Sequence, residues 1–414
     1  MTPRPRRIAA ALLTVVAVAA GAPAGASAAG PPKPAFHGDT AIVIDARTGE
    51  TLYARRAERR HAIASTTKIM TALVARDGAD LGDALTASDY NPAAIESQLG
   101  LKRGERLSLR DLLKALMLPS ANDAAMTIAE GVSGSRASFV DSMNAKAEQL
   151  GLEGTRFANP IGLDDPDNYS TAHDLALAAR QLLRDRALAR IVDSPRARLT
   201  TGAKPRTVVN RNRLVAQYPW VTGVKTGHTR AAGYVLVGSA TRGGVSVISV
   251  VTGEPGETAR DTDSVALLRY GLDQFRRTRV VDRRKRVAVA RVEYHDEDRV
   301  DIVPERNASL TIRRGERVRK LVDAPDELEG PLPRGERVGV VQVSYRDRVV
   351  RRIPLVTAEP VRGARTWDKL TSGIGGSAAA LAFLALGALA GLAALRVRNE
   401  RRRGRQAVRG GRRQ

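Results

Sequence analysis

The stretch HAIASTTKIMTALVA, from His61 to Ala75, carries Ser65 and Lys68 three residues apart at the head of an apolar run. Ile69, Met70, Leu73 and Val74 fall on one face at helical spacing, so the run predicts a helix. On a helix, residues three apart are neighbours, with Cβ atoms about 5–6 Å from each other. Two readings follow. Ser65 is an N-cap and Lys68 a solvated charge, or Ser65 is a nucleophile and Lys68 the base that takes its proton. A lysine serves as a base where burial or a second cation lowers its pKa. S-x-x-K alone is too common to decide, and the rest of the chain has to.

Two further segments bear on the choice. LMLPSANDAA places Ser120-Ala121-Asn122 at a break in a helical pattern that runs from Leu107 to Glu130 and is interrupted at Pro119. GVKTGHT places Lys225-Thr226-Gly227 on a strand predicted from Val221 to Thr229. Around them, Ala41 to Asp45 and Thr51 to Ala54 read as a hairpin, as do the runs Gly233 to Thr241 and Val245 to Gly253, joined by Arg242-Gly243-Gly244. Asp174 to Leu183 predicts a short amphipathic helix. Thr258 to Arg276 predicts another, with Val265, Leu268, Leu272 and Phe275 on one face. Strands open and close this region and helices fill its middle. The expectation is an α+β fold, an antiparallel sheet covered by helices, with first and last strands side by side. From Thr278 to Pro360, short valine-rich strands punctuated by Pro and Gly predict a small all-β domain, followed by a linker over 361–373.

The chain has 414 residues, no cysteine and a net charge of +23. That length calls for at least two domains. Arg396 to Gln414 hold nine arginines and one glutamate, the first seven residues hold three arginines, and the remaining +12 is spread along the chain with acids interleaved. With eight Tyr, five Phe and two Trp, no basic-aromatic nucleic-acid module is present, and no nucleic-acid partner is expected. Arg4, Arg6 and Arg7, the apolar run Ile8 to Ala20 and the small residues to Ala28 predict a secretory signal over 1–28. Thr371 to Leu395 carries no charge and precedes the arginine block. That pattern predicts a membrane-spanning helix over 374–395, a cytoplasmic tail over 396–414, and a catalytic domain over 29–277 outside the cell membrane. Export without cysteine means stability without disulfides.

Together the three motifs, in this order and on these predicted elements, resemble those of penicillin-binding proteins and class A β-lactamases. The chain is more closely similar to the low-molecular-mass penicillin-binding proteins that act as serine D-alanyl-D-alanine carboxypeptidases. The likeness extends over AIVIDARTGETLYARRAERRHAIASTTKIMTAL, GERLSLRDLLKALMLPSANDAAMTIAE, MNAKAEQLGLEGTRFANPIGL and VKTGHTRAAGYVLVGSA, from about Ala41 to Phe275. The β domain and anchor match the family's layout. Two features depart from it: Ala121 stands where Gly is common, and the anchor reads as a spanning helix, not one lying on the membrane.

The resemblance implies a β-lactamase-like fold and a set of roles. Ser65 attacks the terminal D-Ala–D-Ala bond of a peptidoglycan stem peptide, or a β-lactam, and becomes acylated. Lys68 is the base, Ser120 relays the proton to the leaving amine, and Asn122 holds Lys68 and the substrate amide. Backbone N–H groups of Ser65 and His228 form an oxyanion hole. Lys225 and Thr226 bind the substrate's free carboxylate, with Arg260 and Arg211 helping to read it, and Gly227 and Thr229 also belong to the substrate site. Lys225 also helps keep Lys68 neutral. No cofactor is implied. His37, His61, His173 and His295 stand in no zinc-binding spacing.

The rivals are a β-lactamase, a DD-endopeptidase or transpeptidase of the same chemistry, and a non-catalytic cell-wall scaffold. FANPIGLDDPDNYST lacks the glutamate that a class A β-lactamase carries between its second and third motifs.

Overall fold

The computed structural model describes residues 31–366, 369 and 384–400, and the expected signal over 1–28 lies outside them. The chain divides into two compact units. Of the described residues, one holds 31–277 with 311–315, and the other holds those from 278 onward apart from 311–315.

The first unit is built on a five-stranded antiparallel sheet. Its strands are β1 (Thr40–Asp45), β2 (Thr51–Arg55), β3 (Val221–Thr229), β4 (Gly233–Arg242) and β5 (Val245–Glu254), in the order β2-β1-β5-β4-β3. Thr40 pairs with Thr252 and Ile44 with Ile248, so the first and last strands are neighbours, as expected. All six residues of β1, TAIVID, are buried, which means that both faces of the sheet are covered. Alternation divides them. Ile42 and Ile44 enter one core with Ile248 and Val250. Ala41 and Val43 enter another with Leu236, Val247 and Leu268.

Eight α-helices are described in this unit: α1 (Lys68–Gly78), α2 (Leu109–Met117), α3 (Asn122–Ser133), α4 (Arg136–Gln149), α5 (Ala172–Leu182), α6 (Arg186–Val192), α7 (Leu214–Gln217) and α8 (Glu257–Asp273). α8 covers the second core through Val265, Leu268 and Leu272. α1 is the buried axis of the other layer: every residue from Lys68 to Ala75 is buried. A helix surrounded on all sides belongs to the core and not to the surface, so Lys68 is not a solvated charge.

Three helices escaped sequence reasoning, among them the four-residue α7. α4 buries only Phe139, Met143 and Ala147, one residue per turn, and its apolar stripe is too narrow to read. α6 has seven residues, fewer than two full periods. Between α2 and α3 the chain leaves the helical path at Ser120, whose φ is +68°.

The second unit is a β domain. Its six-stranded sheet runs, in spatial order, Arg319–Asp323, Arg337–Tyr345, Arg348–Thr357, His295–Pro304, Ala288–Val292 and Glu327–Leu328. Val292, Ile302, Val341, Ile353 and Leu355 form its core. Residues 384–400 are helical, with Leu384, Leu386, Leu389, Leu392 and Leu395 exposed. Among the described residues no helix is long and apolar enough to cross a membrane, and much of the expected anchor over 374–395 lies outside them.

Ile248 is fully buried in the strand that joins β1 to β4. Ile248→Ala is expected to lower unfolding free energy by about 2–5 kcal/mol in urea titration, through lost burial and the cavity left behind.

Candidate active site

The nucleophile motif sits at a constrained corner. Ala64 has φ +48°, Ala64–Thr67 form one 3-10 turn, and α1 starts at Lys68. A positive φ at a residue with a side chain is held only where surrounding packing enforces it. Lys68 Nζ donates to Ser65 Oγ at 2.9 Å and to the Ile161 carbonyl at 2.6 Å. The loop carrying Ile161 is set by Asn159, whose Oδ1 accepts from the N–H of Ile161, Gly162 and Leu163. Thr71 Oγ1 clips the same loop to α1 through the Pro160 carbonyl, 2.7 Å away. At Gly162, with φ +85°, a Cβ would lie 2.0 Å from the Ala64 carbonyl oxygen, so only glycine allows this loop to back the corner.

The second motif leads into α3, with Ala121 as the N-cap residue and Asn122 as the first residue of the helix. Ser120 and Asn122 are 3% and 5% exposed, and Ser120 Oγ and Asn122 Oδ1 have no hydrogen-bond partner among the described residues. Asn122 Nδ2 donates to Glu96 Oε2 at 2.6 Å. The expected hold of Asn122 on Lys68 is absent, because both hydrogen bonds of the Lys68 amine go to Ser65 and Ile161.

The third motif lies on β3, an edge strand. Alternate residues of an antiparallel edge strand turn their N–H and C=O away from the neighbouring strand. A Cβ at Gly227 would lie 3.1 Å from the Ser65 nitrogen, so β3 runs directly against the nucleophile's turn. His228 is exposed, and its ring stacks on Tyr234 with centroids 4.1 Å apart. Thr229 Oγ1 donates to Asp164, which ties β3 to the loop beyond Ile161.

Ser65, Ser120, Asn122, Arg211, Thr226, Gly227, His228, Thr229 and Arg260 line one cleft of about 810 Å³, with Lys68 buried behind Ser65. Lys225 is also buried, 1% exposed, and its Nζ donates to the Thr226 carbonyl at 2.9 Å. It does not line the cleft, contrary to its expected place among the substrate contacts. That position passes to Thr226 and to the arginines. Arg260 is buried on α8 and held by Asp261 at 2.7 Å and Glu257 at 3.1 Å, so it is a fixed cation and not a solvated one. Arg211 is exposed at the cleft wall, as is Arg213, which sequence reasoning did not single out. Glu96 was missed as well. It reaches the cleft on a polar loop that carries no motif and lies 26 residues before Asn122.

Burial pushes the Lys68 amine down from the ordinary lysine value to about 7; the carboxylate of Glu96 acts against this and the charge of Arg211 reinforces it. Lys225 is pushed well down by burial and by Lys68, Arg211 and Arg260. Arg211, expected only to read a carboxylate, thus takes part in lowering Lys68. The arrangement is a buried, near-neutral amine on a serine hydroxyl, two unpaired polar groups, and a cationic wall. It suits acyl transfer to serine from a substrate with a free carboxylate. The glutamates lining the cleft, Glu96 and Glu257, come before the second motif and after the third.

Comparison with known proteins agrees. Residues 26–256 match the peptidase S11 family, D-alanyl-D-alanine carboxypeptidase, and residues 275–362 match the penicillin-binding protein 5 C-terminal domain. The D-alanyl-D-alanine carboxypeptidase DacF of Bacillus subtilis is 31% identical over 350 residues, covering 82% of this chain and 90% of that protein. The crystal structure of penicillin-binding protein 5 from Haemophilus influenzae is similar at TM-score 0.58 and 30% identity, covering 81% of this chain and all of that one. The Streptomyces K15 DD-transpeptidase is similar at TM-score 0.55 and 34% identity, covering 58% of this chain and 99% of that one. On its family match, its relatives and its fold, the chain belongs to the D-alanyl-D-alanine carboxypeptidases of peptidase family S11.

Proposed function

We propose that the protein removes the terminal D-alanine from peptidoglycan stem peptides ending in D-Ala-D-Ala, through an acyl-enzyme on Ser65. The observation that carries this is the buried Lys68 amine, 2.9 Å from Ser65 Oγ and depressed to about 7. Above that pH the amine is neutral and accepts the hydroxyl proton as Oγ attacks the scissile carbonyl carbon. The oxyanion that forms is met by the backbone N–H groups of Ser65 and His228; one such donor typically contributes ~10²–10³ in rate. Collapse breaks the C–N bond, and the proton on Lys68 passes by way of Ser120 to the leaving amine of D-alanine. Water then attacks the ester. Lys68 takes the water's proton, and breaking the ester bond returns that proton to Ser65 and frees the shortened peptide. Asn122 holds the substrate amide, and Thr226, Arg260 and Arg211 hold the terminal carboxylate. A β-lactam acylates the same Ser65.

The likeness to the Streptomyces K15 DD-transpeptidase supports a second reading, in which an amine replaces water on the same acyl-enzyme. Product analysis on pure muropeptides separates the two: free D-alanine without new cross-links supports hydrolysis.

We place the catalytic unit outside the cell membrane, single-pass, with the signal over 1–28 and the anchor over 374–395. The support is the arginine-led apolar leader and the uncharged stretch Thr371 to Leu395 ahead of nine arginines. Removing residues 371–414 is expected to release active protein from the membrane fraction, and retention of the truncated chain there would overturn the anchor.

Fluorescent penicillin is expected to label wild-type protein at Ser65, located by mass, and to leave Ser65→Ala unlabelled. Label on the variant would exclude Ser65 as the nucleophile. The acylation rate is expected to rise about tenfold per pH unit below about 7 and to level off above it, because Lys68 must lose a proton to act. A flat profile between about pH 5.5 and 8 would remove Lys68 as the base.

A further inference from the structure

We infer that Glu96 is a positioning residue for acylation: its carboxylate, brought in by the loop between Tyr90 and Leu101, holds the side-chain amide of Asn122 in a single orientation. This inference rests on the proposed acyl transfer at Ser65.

An ionised carboxylate only accepts hydrogen bonds. The 2.6 Å contact to Glu96 Oε2 therefore has to be made by the amide nitrogen of Asn122. That leaves Asn122 Oδ1 and one N–H for the cleft, and Oδ1 is buried with no partner among the described residues. An amide has nearly the same shape when flipped, so packing alone does not choose between its two orientations. Glu96 does.

Glu96 is itself fixed. Tyr90 donates its hydroxyl to Oε2, and the Ala93 N–H donates to Oε1 at 3.0 Å. Burial would raise the Glu96 carboxyl, but hydrogen bonds from Tyr90, Asn122 and Ala93 bring it below its ordinary value, so it stays ionised. Burial and Glu96 raise the Tyr90 phenol, so it stays a donor. The loop is stapled to the start of α3 by Asp123, whose carboxylate accepts from Leu99, Gly100 and Leu101 at 2.8–3.0 Å. The Asn122 N–H closes the staple on the Ser97 carbonyl, 2.7 Å away. Loop and motif therefore move as one body.

The same carboxylate also acts on the base. Glu96 raises Lys68 against burial and Arg211, while Lys225 on β3 is lowered by the charges of Lys68, Arg211 and Arg260. Losing the negative charge leaves only depressing influences on Lys68.

The test uses the full-length protein with E96A, E96Q and Y90F. Labelling of wild type at Ser65 is read first, and its absence counts against the acyl-transfer reading and not against Glu96. With wild type labelled, E96A is expected to acylate about 10- to 100-fold more slowly, with an unchanged thermal midpoint. E96Q keeps an acceptor for Asn122 but no charge. It is expected to stay within about threefold of wild type on the pH plateau while its acidic limb moves to lower pH. Y90F is expected to fall between wild type and E96A. An E96A protein as fast as wild type would overturn the inference. So would equal losses in E96A and E96Q with no movement of the limb, which would mark a role in loop stability alone. Should E96A not fold, E96Q and Y90F decide: an E96Q limb in the wild-type position, or a Y90F rate equal to wild type, overturns it.

Discussion

The hydrogen bond from the Lys68 amine to Ser65 Oγ is the interaction on which the rest of the catalytic unit depends. An ammonium removed from water without a carboxylate partner is too costly to keep, and a lysine in such a place gives up its charge instead. Here the amine is 0% exposed and touches only a hydroxyl and a backbone carbonyl. The helix that carries it is buried on every side. The sheet, the surrounding helices and the loop at Ile161 together exclude water from one amine and aim it at one oxygen. The packing that forms the core also lowers the Lys68 amine to about 7 and holds it against the Ser65 hydroxyl.

The unit tolerates features that cost stability. Ser120 Oγ and Asn122 Oδ1 are buried without partners, and such groups typically cost about 1–3 kcal/mol each. Ala64 and Ser120 hold positive φ at the two motif corners. Arg211 sets positive charge against both Lys68 and Lys225, and Arg260 sets it against Lys225. Of these residues, Ser120, Asn122, Arg211 and Arg260 line the cleft where a peptide with a free carboxylate would sit, and such a ligand supplies hydrogen-bond partners and negative charge there. Glu96 is the counterweight, a cleft carboxylate that opposes the depression of Lys68 and bonds to the Asn122 amide.

By itself the sequence determined the architecture and the motif set. The short apolar runs of β1 and β5, the Gly243-Gly244 turn and the motifs around Ser65, Ser120 and Lys225 are local patterns. The physics behind them is the two-residue repeat of strands, the 3.6-residue repeat of helices and the φ freedom of glycine. The narrow stripe of α4 and the brevity of α6 fall below what periodicity detects. Tertiary structure alone decided that Lys68 is buried on all sides, that Lys225 lies behind the cleft wall with its amine on a backbone carbonyl, and that Arg260 is clamped by acids. It also brought Glu96, from a loop with no motif, against Asn122. Burial and long-range hydrogen bonds join residues tens of positions apart, and no local pattern encodes which loop will close on which side chain.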